Sequence, residues 1–181
     1  MSAGSSLAGS DYVFATAIPN DASQMKKLNE ACLPENYPYR FWFDMVSMNP
    51  GRCFICRSVK DRKMVGYALF CEDSKRRMRL MSVAVLPTYR GKGVAAELLR
   101  RGLVAIGTRP CELEVRTSNE GAIRLYERLG FRKLRIFPGY YADNEDAWVM
   151  VRAVETPDAV TTIEAPGDGA VSASPTLPPV A

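Results

Sequence analysis

The chain has 181 residues, of which 47% are hydrophobic and 24% charged, enough for one globular domain with its own core. All 24 Lys and Arg residues lie between Lys26 and Arg152, whereas four of the 20 acidic residues lie beyond Val154. The central part of the chain is therefore basic. This charge suits a polyanionic ligand such as a phosphorylated cofactor or RNA, although an ordinary solvated surface explains it almost as well. No apolar run is long enough to span a membrane, and the N-terminus lacks the pattern of a secretory signal, so we expect no membrane partner.

Both ends of the chain have compositions typical of disordered segments. Residues 1–10 and 156–181 are rich in Gly, Ser, Ala and Pro and contain no aromatic residue. Such segments bury too little apolar surface to offset the conformational entropy lost on ordering. We therefore expect disorder at both ends and one folded domain over residues 11–155.

The first half of this domain is predicted to combine two helices with an antiparallel sheet. YVFATAI alternates like a strand, DASQMKKLNEACL has apolar residues at helical spacing after an Asn20 or Asp21 cap, and YRFWFDMVSM fits a second helix. RCFICRSV and MVGYALFCE flank a turn at residues 60–63, which predicts a hairpin, and RLMSVAVL extends the sheet.

The five cysteines are odd in number and irregularly spaced, which predicts free thiols in a reducing compartment, the cytoplasm or the nucleus. Cys53 and Cys56 form a CxxC pair. However, zinc needs four ligands, and the chain contains no histidine and no second CxxC. We expect no metal, and we expect both thiols to pack in the core as part of a strand.

From Gly91 onward helices alternate with strands. Helices are predicted in GKGVAAELLRRGLVAIG and NEGAIRLYERLG, and strands in CELEVR, FRKLRIF and DAWVMVRAV. Together with the antiparallel first half, this order predicts an α/β fold in which a mixed sheet carries helices on its faces.

The glycines after the RLMSVAVL strand suggest a phosphate-binding loop. Residues 91–96, GKGVAA, match the loose dinucleotide pattern GxGxxA, and Glu112 or Glu114 could supply its acid. Against this interpretation, four residues separate the strand from the first glycine, and hairpins precede it. A Walker loop requires GxxxxGK followed by Ser or Thr, which the segment lacks.

Residues 90–95 of the same loop also match the pattern RxxGxA, which here stands at the start of a predicted helix. Here glycines let the backbone approach a pyrophosphate, helix amides point towards it, and Arg90 and Lys92 add positive charge. A helix start whose glycines only ease a turn is the remaining alternative.

With this loop, the chain resembles the GCN5-related N-acetyltransferase (GNAT) family, whose RxxGxA or RxxGxG signature holds the pyrophosphate of acetyl-CoA. The resemblance covers about residues 12–153 and includes a second signature, VRTSNEGAIRLYERLGF. LPENYPYRFWFD and GYYADNEDAWVM resemble the catalytic subunits of protein N-terminal acetyltransferases of the NatA and archaeal types. The resemblance implies a mostly antiparallel sheet of about six or seven strands with about four helices.

Acetyl-CoA is the cosubstrate that the resemblance implies, with no metal. The strand backbone at Val83 to Val85 would bind the pantetheine arm and the carbonyl oxygen, Asn119 would lie near the pantetheine, and Tyr126 near the sulfur. The cofactor site so implied consists of Val83, Ala84, Val85, Arg90, Gly91, Lys92, Gly93, Val94, Ala95, Asn119 and Tyr126.

Acetyl transfer to an amine needs a base for the amine and a proton for the leaving thiolate. By resemblance, Glu35 and Glu114 are candidates for the base or for positioning the amine, and Tyr126 for the acid. Ion-paired or solvated glutamates and a packed tyrosine are the alternatives. Arg79 stands where the family often has His or Tyr. Because arginine cannot act as a base, either carboxylates carry the role alone or Arg79 binds an acidic substrate side chain or the cofactor.

The implied acceptors are nascent or mature protein N-termini, with Ser, Ala, Thr or Gly exposed after Met removal, or Met itself. The implied peptide-binding residues are Leu33, Glu35, Tyr37, Pro38, Arg79, Tyr140 and Tyr141, while Phe41 either joins them or packs in the core. A helical-repeat auxiliary subunit and the ribosome are implied for a eukaryotic source, and no DNA partner is expected. The alternatives are acetylation of lysine, a ribosomal protein or a small amine, and a non-catalytic binding subunit.

Overall fold

A computed structural model describes residues 11–73 and 76–153. The ends for which the sequence predicts disorder, residues 1–10 and 156–181, lie outside the described residues. In the described residues, the helices and strands are β1 Tyr12–Thr16, α1 Ala22–Cys32, α2 Tyr39–Met48, β2 Cys53–Ser58, β3 Met64–Glu72, β4 Met78–Val85, α3 Val94–Ile106, β5 Cys111–Arg116, α4 Glu120–Arg128, β6 Arg132–Phe137 and β7 Ala147–Arg152.

The strands form one sheet in the order β1-β2-β3-β4-β5-β7-β6. Every neighbouring pair is antiparallel except β4 and β5, which run parallel. The predicted mixed, mostly antiparallel sheet of about seven strands with four helices is therefore confirmed. The boundaries of α2 and β5 coincide with the predicted segments YRFWFDMVSM and CELEVR.

One predicted detail, the side-chain cap of α1, is wrong. Asp21 does precede the helix, but neither its side chain nor that of Asn20 makes a capping hydrogen bond. The Asp21 carboxylate instead accepts a hydrogen bond from the Ile18 amide at 2.9 Å and pairs with Arg57 at 2.6 Å. The carboxylate is thus satisfied by β2 and by the preceding 3₁₀ turn, and the helix begins without it.

Two hydrophobic clusters form the core, one packed with α3 and α4 and the other with α1 and α2. Cys53 and Cys56 are buried in different clusters, which confirms that these thiols are core residues of a strand. No cysteine of the described residues forms a disulfide. Burial raises the pKa of Cys53 and that of Cys56 to about 12, so both are inert thiols at neutral pH.

A buried polar chain fixes α1 against the sheet. Asn29 donates through Nδ2 to the Tyr67 hydroxyl at 3.1 Å, and this hydroxyl is 2.8 Å from Ser82 Oγ. All three side chains are buried. Since bonds of this kind are costly to break in the interior, they hold the end of α1, and the loop that follows it, close to β4.

The feature that creates space for a ligand is a fork between β4 and β5. These strands pair only at Met78 with Cys111 and at Arg79 with Glu112. Further along β4 the register against β3 shifts by one residue at Met81, as in a β-bulge, which bends a strand and increases its twist. The two strands therefore diverge towards their C-terminal ends.

Candidate active site

A cavity of about 810 Å³ occupies the fork. It is bounded by the end of β4, the start of α3, one side of α4 and the end of α1. Its walls contain every residue of the predicted cofactor site except Lys92: Val83, Ala84, Val85, Arg90, Gly91, Gly93, Val94, Ala95, Asn119 and Tyr126. The loop and the SNEGAIRLYERLGF segment, separate in sequence, are therefore opposite walls of one cavity.

The glycine loop gives this cavity a wall of backbone amides. Gly91 and Gly93 have φ of +74° and +80°, in the left-handed region that side chains disfavour. A Cβ atom at either position would meet no atom within 4 Å. The first turn of α3 has no side-chain cap, so the amides at the start of the helix are available to an anion.

Three basic residues near the loop have different positions. Arg90 donates from Nε to the Val85 carbonyl at 2.9 Å, which ties the loop to the end of β4. Lys92 lies outside the cavity wall, with Nζ 5.4 Å from the Tyr89 ring centroid. Arg128, not predicted from sequence, lines the cavity from the last turn of α4, and no ion pair holds it among the described residues.

Asn119 and Tyr126 both reach the cavity from α4 and its cap. Asn119 accepts the Ala122 amide at 3.1 Å through Oδ1, so its first task is to cap the helix. Tyr126 is buried, and its ring packs edge-on against Phe131. Burial raises the pKa of Tyr126 well above its ordinary value, so its hydroxyl keeps its proton at neutral pH. Both predicted roles remain predictions, and the geometry is compatible with each.

Beside the cavity lies a group of interacting side chains that we call the acceptor cluster: Glu35, Tyr37, Arg79, Glu114, Arg116, Tyr140 and Tyr141. Arg79 on β4 and Glu114 on β5 form an ion pair across the fork. Burial raises the pKa of Glu114, opposed by the charge of Arg79 and the hydrogen bond from it. Tyr140 interacts with both side chains from the β6–β7 loop.

Arg116, at the end of β5, joins the two loops that border the cluster. Its guanidinium is 2.7 Å from a carboxylate oxygen of Glu35 in the α1–α2 loop, and 2.7 Å from Asp143 and from Glu145 in the β6–β7 loop. Its Cζ atom lies 3.9 Å from the centroid of the Tyr141 ring. Arg116 also lines the cavity, so the acceptor cluster and the cavity are contiguous.

The α1–α2 loop contributes the aromatic side of the cluster. Tyr37 stacks on Phe41 with centroids 4.4 Å apart, and Phe41 packs against Trp42. Phe41 therefore packs against the core, which is one of the two alternatives that the sequence left open for this residue. Leu33 lines the cavity, whereas Pro38 precedes α2 and lies outside the cavity wall.

Glu35 is paired through one oxygen only. Its Oε2 atom is buried and has no hydrogen-bond partner among the described residues. A buried carboxylate oxygen without a partner is rare. Glu35 is therefore an ion-paired residue that retains one free acceptor beside the cavity.

Sequence reasoning missed Arg116 and Arg128. A signal for Arg116 exists in CELEVR, because strand alternation places Glu112, Glu114 and Arg116 on one face of β5. For Arg128 the signal is helical: together with Gly121 and Leu125 it lies on the face of α4 that lines the cavity.

Two further observations concern the described residues alone. No group of three or more His, Cys, Asp or Glu side chains there is arranged to hold a metal ion. Across residues 11–73 and 76–153, no helix has the length and apolar character needed to cross a membrane.

Comparisons with known proteins agree with the geometry. The model of the acetyltransferase (GNAT) family matches residues 21–131. An N-alpha-acetyltransferase of Saccharolobus solfataricus is 36% identical over 159 residues, 80% of this chain and 94% of that protein. The N-terminal acetyltransferase complex ARD1 subunit homolog of Dictyostelium discoideum is 36% identical over 138 residues, 72% of this chain and 68% of that protein.

Among solved structures, Ard1 from Thermoplasma volcanium superimposes with a TM-score of 0.73 at 25% identity, covering 81% of this chain and all of that one. The chain therefore belongs to the acetyltransferase (GNAT) family. Within that family, several relatives that match most of this chain are named N-alpha-acetyltransferase.

Proposed function

We propose that this protein transfers the acetyl group of acetyl-CoA to the α-amino group of protein N-termini. The observation that carries the proposal is the junction between the forked cavity and the acceptor cluster, because it brings two carboxylates next to a site built for a phosphorylated, extended cosubstrate. The names of the relatives from Saccharolobus solfataricus and Dictyostelium discoideum support it.

Acetyl-CoA fits the cavity by the chemistry of its walls. The uncapped start of α3 and the left-handed glycines offer backbone amides to a pyrophosphate. Arg128 adds a positive charge at the far end of α4. Beyond Arg79, β4 has no pairing with β5, so the amides on this edge can donate hydrogen bonds to the pantetheine arm.

The reaction needs two proton transfers. An α-ammonium group, whose ordinary pKa is about 8, gives one proton to a carboxylate. The neutral amine then attacks the thioester carbonyl, so that the C–N bond forms and the C–S bond breaks. Collapse of the intermediate passes the second amine proton, by way of a protonated side chain, to the departing thiolate, and the carboxylate gives the first proton to solvent. The products are the acetylated N-terminus, free coenzyme A thiol and one proton released to solvent.

Specific groups of this chain match these steps. Glu114 and Glu35 are the proposed proton acceptor and amine ligand. The open amides of β4 around Val83 and Val85 stabilise the charge on the carbonyl oxygen. Tyr126, protonated at neutral pH because it is buried, is the proposed proton donor to the thiolate.

The substrate preference is part of the proposal. We propose small first residues, Ser, Ala, Thr or Gly, and Met as a second group. The support is that the Tyr140 and Tyr141 ring centroids are 5.2 Å apart, that Tyr37 interacts with Tyr140, and that Glu35 interacts with Tyr37 and Tyr141. The first side chain therefore enters a site walled by three aromatic rings.

We also propose a cytoplasmic location, an auxiliary subunit and association with the ribosome. Free, buried thiols on β2, β3 and β5 are consistent with a reducing compartment. The Dictyostelium relative is named as the subunit of a complex, which supports a partner subunit. Co-purification from the native source, followed by sedimentation with and without ribosomes, tests these points.

The test of the activity is a panel of peptides that differ only at their first two residues, incubated with acetyl-CoA and read by mass spectrometry. We expect turnover for small first residues and none for the same peptides with a blocked N-terminus. Turnover of blocked peptides that carry internal lysine, with none on free N-termini, would contradict the proposal.

A further inference from the structure

The ion pair between Arg79 and Glu114 is placed where the two central strands separate. Arg79 is the last residue of β4 that pairs with β5, and its ladder partner is Glu112. Its guanidinium reaches past that partner to Glu114, two residues further on, where the strands have begun to diverge. The arginine side chain is 18% exposed and the glutamate side chain 6%.

Each residue of this pair is the other's only ion-pair partner among the described residues. Glu112, the adjacent carboxylate of β5, is paired instead with Arg77 at 3.4 Å. Arg77, the residue immediately before β4, and Arg79 within β4 thus form two ion-pair rungs to β5. The outer rung lies near solvent, whereas the inner rung lies at the fork beside Tyr140.

Among the described residues, Arg79 is the positive charge that pairs with Glu114, because Arg116, two positions along the same face of β5, is paired with Glu35, Asp143 and Glu145. Glu112 on β5 repels the Glu114 carboxylate, and Tyr140 interacts with it through a hydrogen bond from the β6–β7 loop. On β7 the paired residue is Val149, which is uncharged, and on β3 the buried thiol of Cys71 interacts with Arg79. Burial and Glu112 both favour protonation of Glu114, and Arg79 opposes them.

We propose that Arg79 is a positioning residue: its guanidinium keeps the Glu114 carboxylate ionised and directed across the fork, so that Glu114 can accept the proton of the substrate amine. Arg79 cannot itself accept a proton, and its Nη2 group is paired with Glu114. This inference rests on the proposed acetyl transfer and assigns a role to Arg79 at the fork.

The pH dependence of turnover tests this role. Replacing Arg79→Met should lower kcat/KM at pH 7 by about 10- to 100-fold, since an opposite charge nearby holds an acid ionised. The loss should shrink as the pH rises towards 9, where Glu114 ionises without help. Arg79→Lys, which retains the charge, should keep the wild-type profile.

Arg77→Met is the matched control, because it removes the neighbouring ion pair to β5 from the residue just before β4 and should leave the shape of the profile unchanged. A constant loss at every pH in Arg79→Met, or the same shift in Arg79→Lys, would overturn the proposal. Should Arg79→Met fail to fold, Arg79→Gln removes the charge but keeps a hydrogen-bond donor, and the same profile shift is expected.

A direct measurement separates this proposal from the proposed function. Carbon-13 NMR of glutamate-labelled protein, assigned with Glu114→Gln, follows the titration of Glu114 without any turnover. The pKa of Glu114 should be higher in Arg79→Met than in the wild type, and equal values would overturn the role of Arg79. Absence of acetyl transfer in the wild type would refute the proposed function, while the titration would still decide the role of Arg79.

Discussion

The glycine at the start of α3 gives the most sharply defined prediction. Gly93 precedes the helix with φ of +80° and ψ of −3°, and a Cβ atom there would meet no atom within 4 Å. A side chain therefore fits without a clash, and its cost to stability is the left-handed backbone alone, about 1 to 2 kcal/mol. For a domain of this size that corresponds to a loss of about 3 to 6 °C in Tm.

Gly93→Asp should also weaken the binding of acetyl-CoA, and this loss of affinity is separate from the loss of stability and larger than it. A carboxylate about 5 Å from the pyrophosphate, at an effective dielectric constant of about 20 to 80, contributes roughly 1 to 3 kcal/mol of repulsion per phosphate charge. We therefore expect Kd for acetyl-CoA, measured by calorimetry, to rise by roughly 5- to 150-fold. Gly93→Ala should weaken binding less, because it adds only a methyl group where the backbone meets the ligand.

Gly51→Ala is the matched control for backbone strain. Gly51 has φ of +77°, lies in a turn closed by a 3.1 Å bond from the Arg52 amide to the Asn49 carbonyl, and also has open space around its Cβ position. Its variant should lose a similar amount of Tm and keep the wild-type affinity. Unchanged affinity in Gly93→Asp, in a folded protein, would refute the assignment of the loop to the pyrophosphate.

Three further predictions concern the walls of the site. Arg116→Met should lower kcat/KM at least about 10-fold, because both flanking loops lose their common partner. Hydrogen bonds from Ser118 and Arg116 lower the pKa of Glu145 from 4.5 to about 2, so the Arg116–Glu145 ion pair stabilises the fold above pH 4.5. The difference in unfolding free energy between wild type and variant should therefore shrink as the pH falls towards 2. Arg128→Gln should raise Kd for coenzyme A about 10-fold. The control is Arg124→Gln, which should leave Kd unchanged because Arg124 is paired with Glu120 outside the cavity. A loss of affinity for coenzyme A that is absent for 3′-dephospho-coenzyme A would place Arg128 at the 3′-phosphate. Tyr126→Phe should lower kcat with little change in KM, and unchanged kcat would remove the general-acid role.

The sequence predicted the parts of the fold that depend on local pattern. Strand alternation and helical spacing placed β5 and α2 correctly, and the turn between β2 and β3 followed from its polar residues. A phosphate-binding role for the loop at Gly91 and Gly93 could be proposed from sequence because its chemistry is contained in a few consecutive residues. The missing cap of α1 depends instead on Arg57, which lies on another strand.

The acceptor cluster could not be predicted to the same extent, because its bonds join residues far apart in the chain. Arg79 and Glu114 are 35 residues apart, and Glu35 and Arg116 are 81 residues apart. Pattern alone cannot say which glutamate Arg79 of β4 meets, because β5 carries two glutamates on the same face. The bulge at Met81, which opens the fork, depends on the register between β3 and β4.

The central claim is that the acceptor is an α-amino group, and one competition experiment tests it. A peptide with a free N-terminal serine and one internal lysine is incubated with the protein and acetyl-CoA, and tandem mass spectrometry locates the acetyl group. The account predicts acetylation of the N-terminal nitrogen, lost in Glu114→Gln. Acetylation of the lysine in preference to the N-terminus would contradict it.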